Sequence, residues 1–178
     1  MPATIVLTLT GADRIGLVEE ITKLLLDLGG NVETSRMARL GGMFAVLMLV
    51  SLPAEQLPAL ERKAEYLIAQ GYKVTTSVAR PDCEAARPGW ISCQIDVQGA
   101  DHEGIIHQVA RHLSQHGINI ESLDTLTVPA PISGTPLFTL TGHVAVPPDL
   151  SGQDWKVALE EIGRQLDVVI KVTASKES

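Results

Sequence analysis

The residues best suited to holding a small charged ligand lie in two short loops, GADRIG at Gly11–Gly16 and GADHEG at Gly99–Gly104. Each follows an alternating apolar run and precedes a run with helical spacing. Each is therefore a strand-to-helix turn whose free backbone N–H groups can hold a small anion. Asp13 and Asp101 are expected to cap the two helices, accepting from the first free N–H groups at the positive end of the dipole. A catalytic acid in each loop is the less simple assignment. Gly16 and Gly104 are glycine either because a ligand or another backbone passes close, or because the first helical turn packs tightly on the sheet. Arg14 in one copy and His102-Glu103 in the other break the symmetry, so the two loops need not hold the same ligand.

No other constellation points to catalysis. The chain has no GxSxG elbow, CxxC, HExxH or GxxxxGK[ST] sequence, and glycine is too sparse around Gly11–Gly16 for a dinucleotide fingerprint. All five histidines fall in the second half, with His112 and His116 one helical turn apart and His107 on the same helix. No carboxylate or cysteine matches them on that face, so a solvated helix face is expected rather than a metal site. Cys93 alternates with Ile91, Ile95 and Val97 and reads as a buried apolar residue, not as a disulfide partner of Cys83. Aromatics make up 3% of the chain and the formal net charge is −7, which leaves neither a stacking platform nor a basic footprint for nucleic acid. With no basic leader and no apolar run near the length of a membrane span, a cytoplasmic protein without cofactor is expected.

The elements that position the loops repeat. GADHEG begins 88 residues after GADRIG, and at the same offset Gly29 meets Gly117, Asn31 meets Asn119 and Glu33 meets Glu121. In the first copy Thr4–Thr10 alternates as a strand, Leu17, Val18, Ile21, Leu24, Leu25 and Leu28 recur at helical spacing, and Gly29-Gly30 ends that helix. Asn31–Leu40 and Met43–Leu52 read as strands joined by a Gly41-Gly42 hairpin turn. Pro53–Gly71 reads as a helix entered at its prolines, and Tyr72–Ala79 as a final strand. Strand Met43–Leu52 is apolar on both faces, so one face is expected to meet another protein surface.

The second copy runs through a strand at Trp90–Gln98, a helix at Glu103–His116 and a strand at Asn119–Val128. It continues with a strand at Leu137–Val146, a helix at Ser151–Leu166 burying Trp155, Ala158, Leu159, Ile162 and Leu166, and a strand at Asp167–Thr173. Phe44 aligns with Phe138 at an offset of 94, so the second hairpin, Pro129–Pro136, carries six extra residues and is expected to be mobile. The fold class is α+β: two ferredoxin-like βαββαβ domains, each a four-stranded antiparallel sheet with two helices on one face. Residues 1–80 form the first domain, 81–89 a linker and 90–178 the second, ending in a frayed tail.

A strand, then GAD-R-x-G, then a helix, then GGN at the start of the second strand resembles the ACT domain, a small ligand-binding regulatory module of this topology. Two copies cover nearly the whole chain. Within that family, GADRIGLVEEITKLLLDLGGNVETSRMARLGGMFAVLML and the tandem layout resemble the glycine cleavage system transcriptional repressors. The resemblance implies amino acid binding between the strand-to-helix loop of one domain and the start of the second strand of a neighbour. It places the ligand at Asp13, Arg14, Ile15 and Gly16 and at Asp101, His102, Glu103 and Gly104, with Asn31 and Asn119 facing them. Loop N–H groups would hold a carboxylate and an Asn oxygen would accept from an ammonium. Where the family often has proline before the loop glycine, this chain has Ile15 and Glu103, and the Glu103 charge would repel a carboxylate. The implied function is a non-enzymatic amino acid sensor, with glycine or serine as effector, a DNA-binding activator of the glycine cleavage genes as protein partner, and a homo-oligomeric state. Two alternatives remain open: a detached regulatory subunit of an amino acid metabolic enzyme, and a structural assembly module that binds no ligand.

Overall fold

The computed structural model describes residues 2–79, 88–131, 134–150, 152 and 154–174. The chain divides into two compact units, Met1–Asp82 and Cys83–Ser178. In the first, β1 (Pro2–Ala12) leads to α1 (Leu17–Asp27), β2 (Asn31–Leu40), β3 (Met43–Pro53), a 3-10 turn (Ala54–Gln56), α2 (Leu57–Ala69) and β4 (Lys73–Val78). The sheet order is β2-β3-β1-β4, with every neighbouring pair antiparallel. β1 alternates because Ile5, Leu7 and Leu9 turn inward to meet Leu17, Ile21 and Leu25 of α1 and Leu60 and Leu67 of α2. Each such leucine contributes roughly 1.5–3 kcal/mol on leaving water, which is what holds both helices on one face of the sheet.

The turns follow from glycine. Gly29 at φ 70 closes α1 by sending its N–H to Leu26 O (2.9 Å) while Gly30 N–H reaches Leu25 O (2.8 Å), so two orphan carbonyls are satisfied together. Gly41 and Gly42 both take positive φ (57° and 81°), as a tight hairpin twisting with its strands requires at both central residues. α2 starts later than its composition suggests, because Pro53 and the 3-10 turn precede it and Pro58 occupies its first turn. Val18, expected on the buried stripe of α1, is 39% exposed at its margin.

The second unit repeats the order as β5 (Ile91–Ala100), α3 (Ile105–Gln115), β6 (Asn119–Pro129), β7 (Pro136–Val146), a 3-10 turn (Pro148–Leu150), α4 (Asp154–Gln165) and β8 (Val168–Ala174). Its antiparallel sheet is ordered β6-β7-β5-β8. Ala158 is exposed, against expectation; Gly163 is the buried small residue of α4, and a Cβ there would lie 2.8 Å from Ile170 Cγ1 and 2.9 Å from Val168 O. The histidine helix is not a solvated face throughout. His107 is exposed, but His112 is 5% exposed and its Nε2 meets Trp155 O at 2.9 Å, tying α3 to α4. Burial lowers the His112 pKa, outweighing the Trp155 carbonyl, and His116, whose ring centroid lies 4.3 Å away with the planes tilted by 41°, pushes the same way. Cys93 is buried and unpaired, while Cys83, most of the linker and residues 175–178 lie outside the described residues. The longer hairpin, of which Ile132 and Ser133 also lie outside them, is closed by Ala130 N–H to Thr135 O at 2.8 Å.

The two sheets differ on the face away from their helices. In the first unit that face carries Val6, Ala45, Leu47 and Leu49, with Met43 and Leu47 52% and 49% exposed. The apolar character of β3 on both sides is thus real, and its outer side lies open. At the corresponding places the second unit has Gln94, Thr139, Thr141 and His143, and Asp96 accepts from Gln94 Nε2 (3.0 Å) and Thr141 Oγ1 (3.1 Å).

Candidate functional site

Loop 13–16 is strung between two supports. On one side Asp13 N–H donates to Gly42 O (3.0 Å) and the Asp13 carboxylate pairs with Arg39 Nε (2.6 Å), fastening the loop to the β2–β3 hairpin. On the other, Arg14 spans to the α2–β4 turn, donating from Nε to Tyr72 Oη (2.9 Å) and from Nη2 to Gln70 Oε1 (3.1 Å) and to Glu20. Tyr72 Oη in turn donates to Ala12 O at 3.1 Å. Asp13 therefore does not cap α1. The cap position is Gly16, with no side-chain cap bond, because the carboxylate is drawn to the guanidinium of Arg39 instead.

The second loop uses the same two supports with other residues. Asp101 N–H donates to Pro136 O (3.0 Å), and its carboxylate accepts from Thr127 Oγ1 (3.3 Å), the position equivalent to Arg39, so Asp101 is no helix cap either. His102 replaces Arg14. Its Nε2 lies 2.6 Å from Leu166 O and its Nδ1 3.0 Å from Glu103 O. A carbonyl only accepts, so the ring satisfies both partners only as the doubly protonated imidazolium. The Leu166 carbonyl first, and then that of Glu103, accordingly raise the His102 pKa above the usual histidine value.

Gly16 and Gly104 occupy the left-handed region (φ 87° and 95°), and a Cβ on either would meet no atom within 4 Å. Packing of the first helical turn on the sheet is therefore not their reason. The backbone conformation is, and it leaves the space over each loop open. In the first loop Leu17 N–H reaches Arg14 O only at 3.4 Å, and the N–H groups of Val18 and Glu19 have no backbone acceptor among the described residues. Ile15 at the loop tip is fully exposed, while Glu19 and Glu20 stand in the first turn of α1.

The asparagines are not beside these loops. Asn31 pairs with Ser51, which pairs with Thr4 at the start of β1, whereas the loop leaves β1 at Ala12. At about 3.4 Å per residue the two lie roughly 25 Å apart, at opposite ends of the sheet. Asn119 is likewise placed against Ala145, far from Ala100. Within one unit, loop and asparagine cannot share a ligand. Asn31 instead lines a cavity of about 350 Å³ with Gly29, Ser51, Pro53 and Glu55, bounded by Pro2 and Leu52. It also borders an open groove against Glu19, Thr22 and Leu26 of α1. Neither includes a residue of loop 13–16.

Several participants were invisible to sequence reasoning. Tyr72 reads as an ordinary strand residue, yet its ring packs where a Gly11 Cβ would stand, 2.2 Å from Cδ1. The shared Glu33 and Glu121 had a signal, their match between repeats, but no explanation. Each is the extra residue of a β-bulge, between Val32 and Thr34 and between Ile120 and Ser122, just past the asparagine. Among the described residues, no cluster of three metal-ligating side chains occurs and no helix is long and apolar enough to cross a membrane.

Comparison with known proteins agrees with this architecture. The ACT domain family profile matches residues 3–77. The glycine cleavage system transcriptional repressors of Escherichia coli (strain K12) and Shigella flexneri are each 35% identical over 133 residues, 71% of this chain and 66% of theirs, so the chain spans about two thirds of their length. The crystal structure of an unknown protein from Galdieria sulphuraria superposes with a TM-score of 0.88 at 33% identity, covering 99% of this chain and all of that one. A second crystal structure, provisionally named a glycine cleavage system transcriptional repressor, shares the fold with a TM-score of 0.70 at 21% identity over 99% of both chains. With a matched domain, its structural duplicate and this kinship, the chain belongs to the ACT domain family, as a tandem ACT protein similar to the glycine cleavage system transcriptional repressor.

Proposed function

We propose that the chain is a non-enzymatic amino acid sensor that regulates the glycine cleavage genes through contacts with a protein partner. The observation that carries the sensing role is the place of β2 on the sheet edge, with the open loop at one end of the sheet and Asn31 at the other. When two such edges pair antiparallel, the start of one β2 comes beside the loop of the neighbouring domain. The loop N–H groups of one domain then face the asparagine of the other across a gap that suits a small zwitterion. A ligand bridging two domains favours one orientation over another, and a differential affinity of about 1–3 kcal/mol is enough to shift which form the partner meets.

Glycine and serine are the effectors to test first; the repressor relatives support a role in transcriptional regulation, and a DNA-binding activator is the partner that the family resemblance implies. The acidic chain, at −7, favours contact with that protein over contact with DNA itself. The uncovered apolar face of β3 favours a second reading, assembly through that face into a homo-oligomer, with or without ligand.

Thermal unfolding of the purified protein against single amino acids at millimolar concentration tests the sensing role. A ligand at a hundred times its dissociation constant adds about 2.7 kcal/mol and raises the midpoint visibly. A selective rise for one amino acid is expected. An unchanged midpoint with every amino acid leaves the assembly reading in its place.

A further inference from the structure

We propose that the outer side of β3 docks an amphipathic helix of a partner protein, one whose apolar stripe is flanked by carboxylates. Successive side chains of a strand point to opposite faces, and paired residues share a face. Val46, Met48 and Val50 turn inward to the core, so Ala45, Leu47 and Leu49 stand on the outer side, with Val6 of β1 and Ala38 of β2 beside them. Ala38, Ala45 and Leu47 are exposed. The charges beside this strip select the partner. Arg36, opposite Leu47 on β2, and Lys73, opposite Thr10 on β4, stand on the same side at the two edges of the sheet. Neither has an ion-pair partner among the described residues, and the Arg36 guanidinium donates only to the Ser35 carbonyl at 3.1 Å. No Asp or Glu shares the register of this face; Glu33, the bulge residue, lies toward the Asn31 end of β2. A chain of net charge −7 thus bounds its open apolar strip with two unpaired cations. A second copy laid on the same face would cover the strip but offer no carboxylate to either cation. Carboxylates beside an apolar stripe meet both requirements.

The dimensions suit a helix. Neighbouring strands lie about 4.8 Å apart, so the edges β2 and β4 are separated by roughly 14 Å. A helix about 10–12 Å across fits between them, its stripe on β3 and one acidic flank over each edge. Thr8 and Thr75, which lie under that path, bond their hydroxyls to each other and need no partner. The second unit lacks this pattern. On the same side of its sheet Asp96 and Asp124 stand with Lys171 and His143, and Asp96 is already engaged by Gln94 and Thr141. The docking surface therefore belongs to the first unit. The inference deepens the reading of a regulator that works through a protein partner, and rests on it for the occupant being a different protein.

Titration of the isotope-labelled full chain with two stapled model helices, followed by amide NMR, tests the surface. Both peptides carry the same leucine stripe, one flanked by glutamates and the other by lysines. The net charge of −7 favours the lysine peptide at any nonspecific site, so the surface and the chain as a whole predict opposite orders. Salt at about 0.15 M confines charge effects to about 8 Å. Saturable shifts at Arg36, Ala45, Leu47 and Leu49 are expected with the glutamate peptide, and about tenfold weaker binding of the lysine peptide. Leu47→Ser should weaken the glutamate peptide about tenfold, and Arg36→Glu combined with Lys73→Glu should reverse the order of the two peptides, with the unfolding midpoint of each variant showing that it is folded. Equal or tighter binding of the lysine peptide to wild type overturns the surface, as do shifts confined to other residues or an unchanged order in the charge-reversed variant. A wild-type dimer that Leu47→Ser splits in sedimentation overturns it in favour of a second copy. Leu47-dependent binding to phosphatidylserine vesicles, with none to the glutamate peptide, overturns it in favour of a membrane. If the glutamate peptide binds as expected but no amino acid raises the unfolding midpoint, the surface stands and the sensing role falls. If an amino acid raises the midpoint but the glutamate peptide does not bind, the sensing role stands and the surface falls.

Discussion

Replacing Gly16 by Ala isolates the one feature both loops share, the left-handed residue before the helix. At φ 87° and ψ −4° an L-residue suffers a clash between Cβ and its own backbone worth about 1–2 kcal/mol. Nothing within 4 Å of the added methyl offers either a packing gain or a further clash. Alanine also narrows the unfolded ensemble, which returns about 0.4–1 kcal/mol. The net expectation is a loss of about 1 kcal/mol, or a midpoint lower by roughly 4–8 °C for a unit of this size. Gly16→Asn should recover much of it, because asparagine tolerates this region. Urea and thermal unfolding of the full chain provide the assay, with Gly104→Ala (φ 95°) as a replicate in the second unit. A Gly16→Ala protein as stable as wild type, or more so, refutes the left-handed assignment. A loss of several kcal/mol refutes the open space above the loop. If Gly16→Asn is stable yet no longer raises its midpoint with the effector, the ligand does approach this backbone.

Tyr72→Phe keeps the ring against Gly11 but leaves Ala12 O without its 3.1 Å donor; a loss of about 1–2 kcal/mol is expected in urea unfolding, and no loss means the carbonyl is served by water. Asn31→Ala should weaken effector binding by about 1–3 kcal/mol with the fold intact, and an unchanged affinity removes Asn31 from the site. His102 has its pKa raised by the Leu166 and Glu103 carbonyls. The folded state therefore binds its proton more tightly than the unfolded chain, and its clamp stabilises fully below pH 6.5, fading as pH rises through the higher folded value. The midpoint gap between wild type and His102→Leu should shrink from pH 6 to pH 8, and a gap constant over that window removes the charged clamp.

The fold was legible because its signals are local. Alternation in β1, the leucine spacing of α1 and the Gly-Gly turn each depend on residues near in sequence, and the 88-residue offset repeats the first strand, the loop, the helix and the second strand. The supports of the loops were not legible, because they arise between elements: Tyr72 lies 58 residues from Arg14 and Leu166 lies 64 from His102. Asp13 misled for the same reason. Its type and place suit a helix cap, but Arg39 arrives only when the hairpin folds back, and a charged partner outcompetes a pair of amides. His112 was misread because periodicity alone does not reveal that α4 covers that side of α3.

The repeats have kept what the backbone needs and exchanged what the side chains do. Gly11 and Gly99 are both glycine, yet one yields to the Tyr72 ring and the other to Val168 Cγ1 at 2.6 Å and Asp167 O at 2.8 Å. The loops keep one shape and one pair of supports, but the first is fastened by an arginine charged at every physiological pH and the second by an imidazole whose charge changes near neutrality. The outer side of β3 is apolar in the first unit, whereas its counterpart β7 carries Thr139, Thr141 and His143, and Asn31 borders an open cavity while the Asn119 amide donates to Ile120 O. If both units performed one task, these differences would have to be neutral at four separate places. A division of labour accounts for these differences: the first unit keeps a loop fastened at every physiological pH and an exposed apolar strip on β3, and the second holds a loop whose fastening loosens as the pH rises.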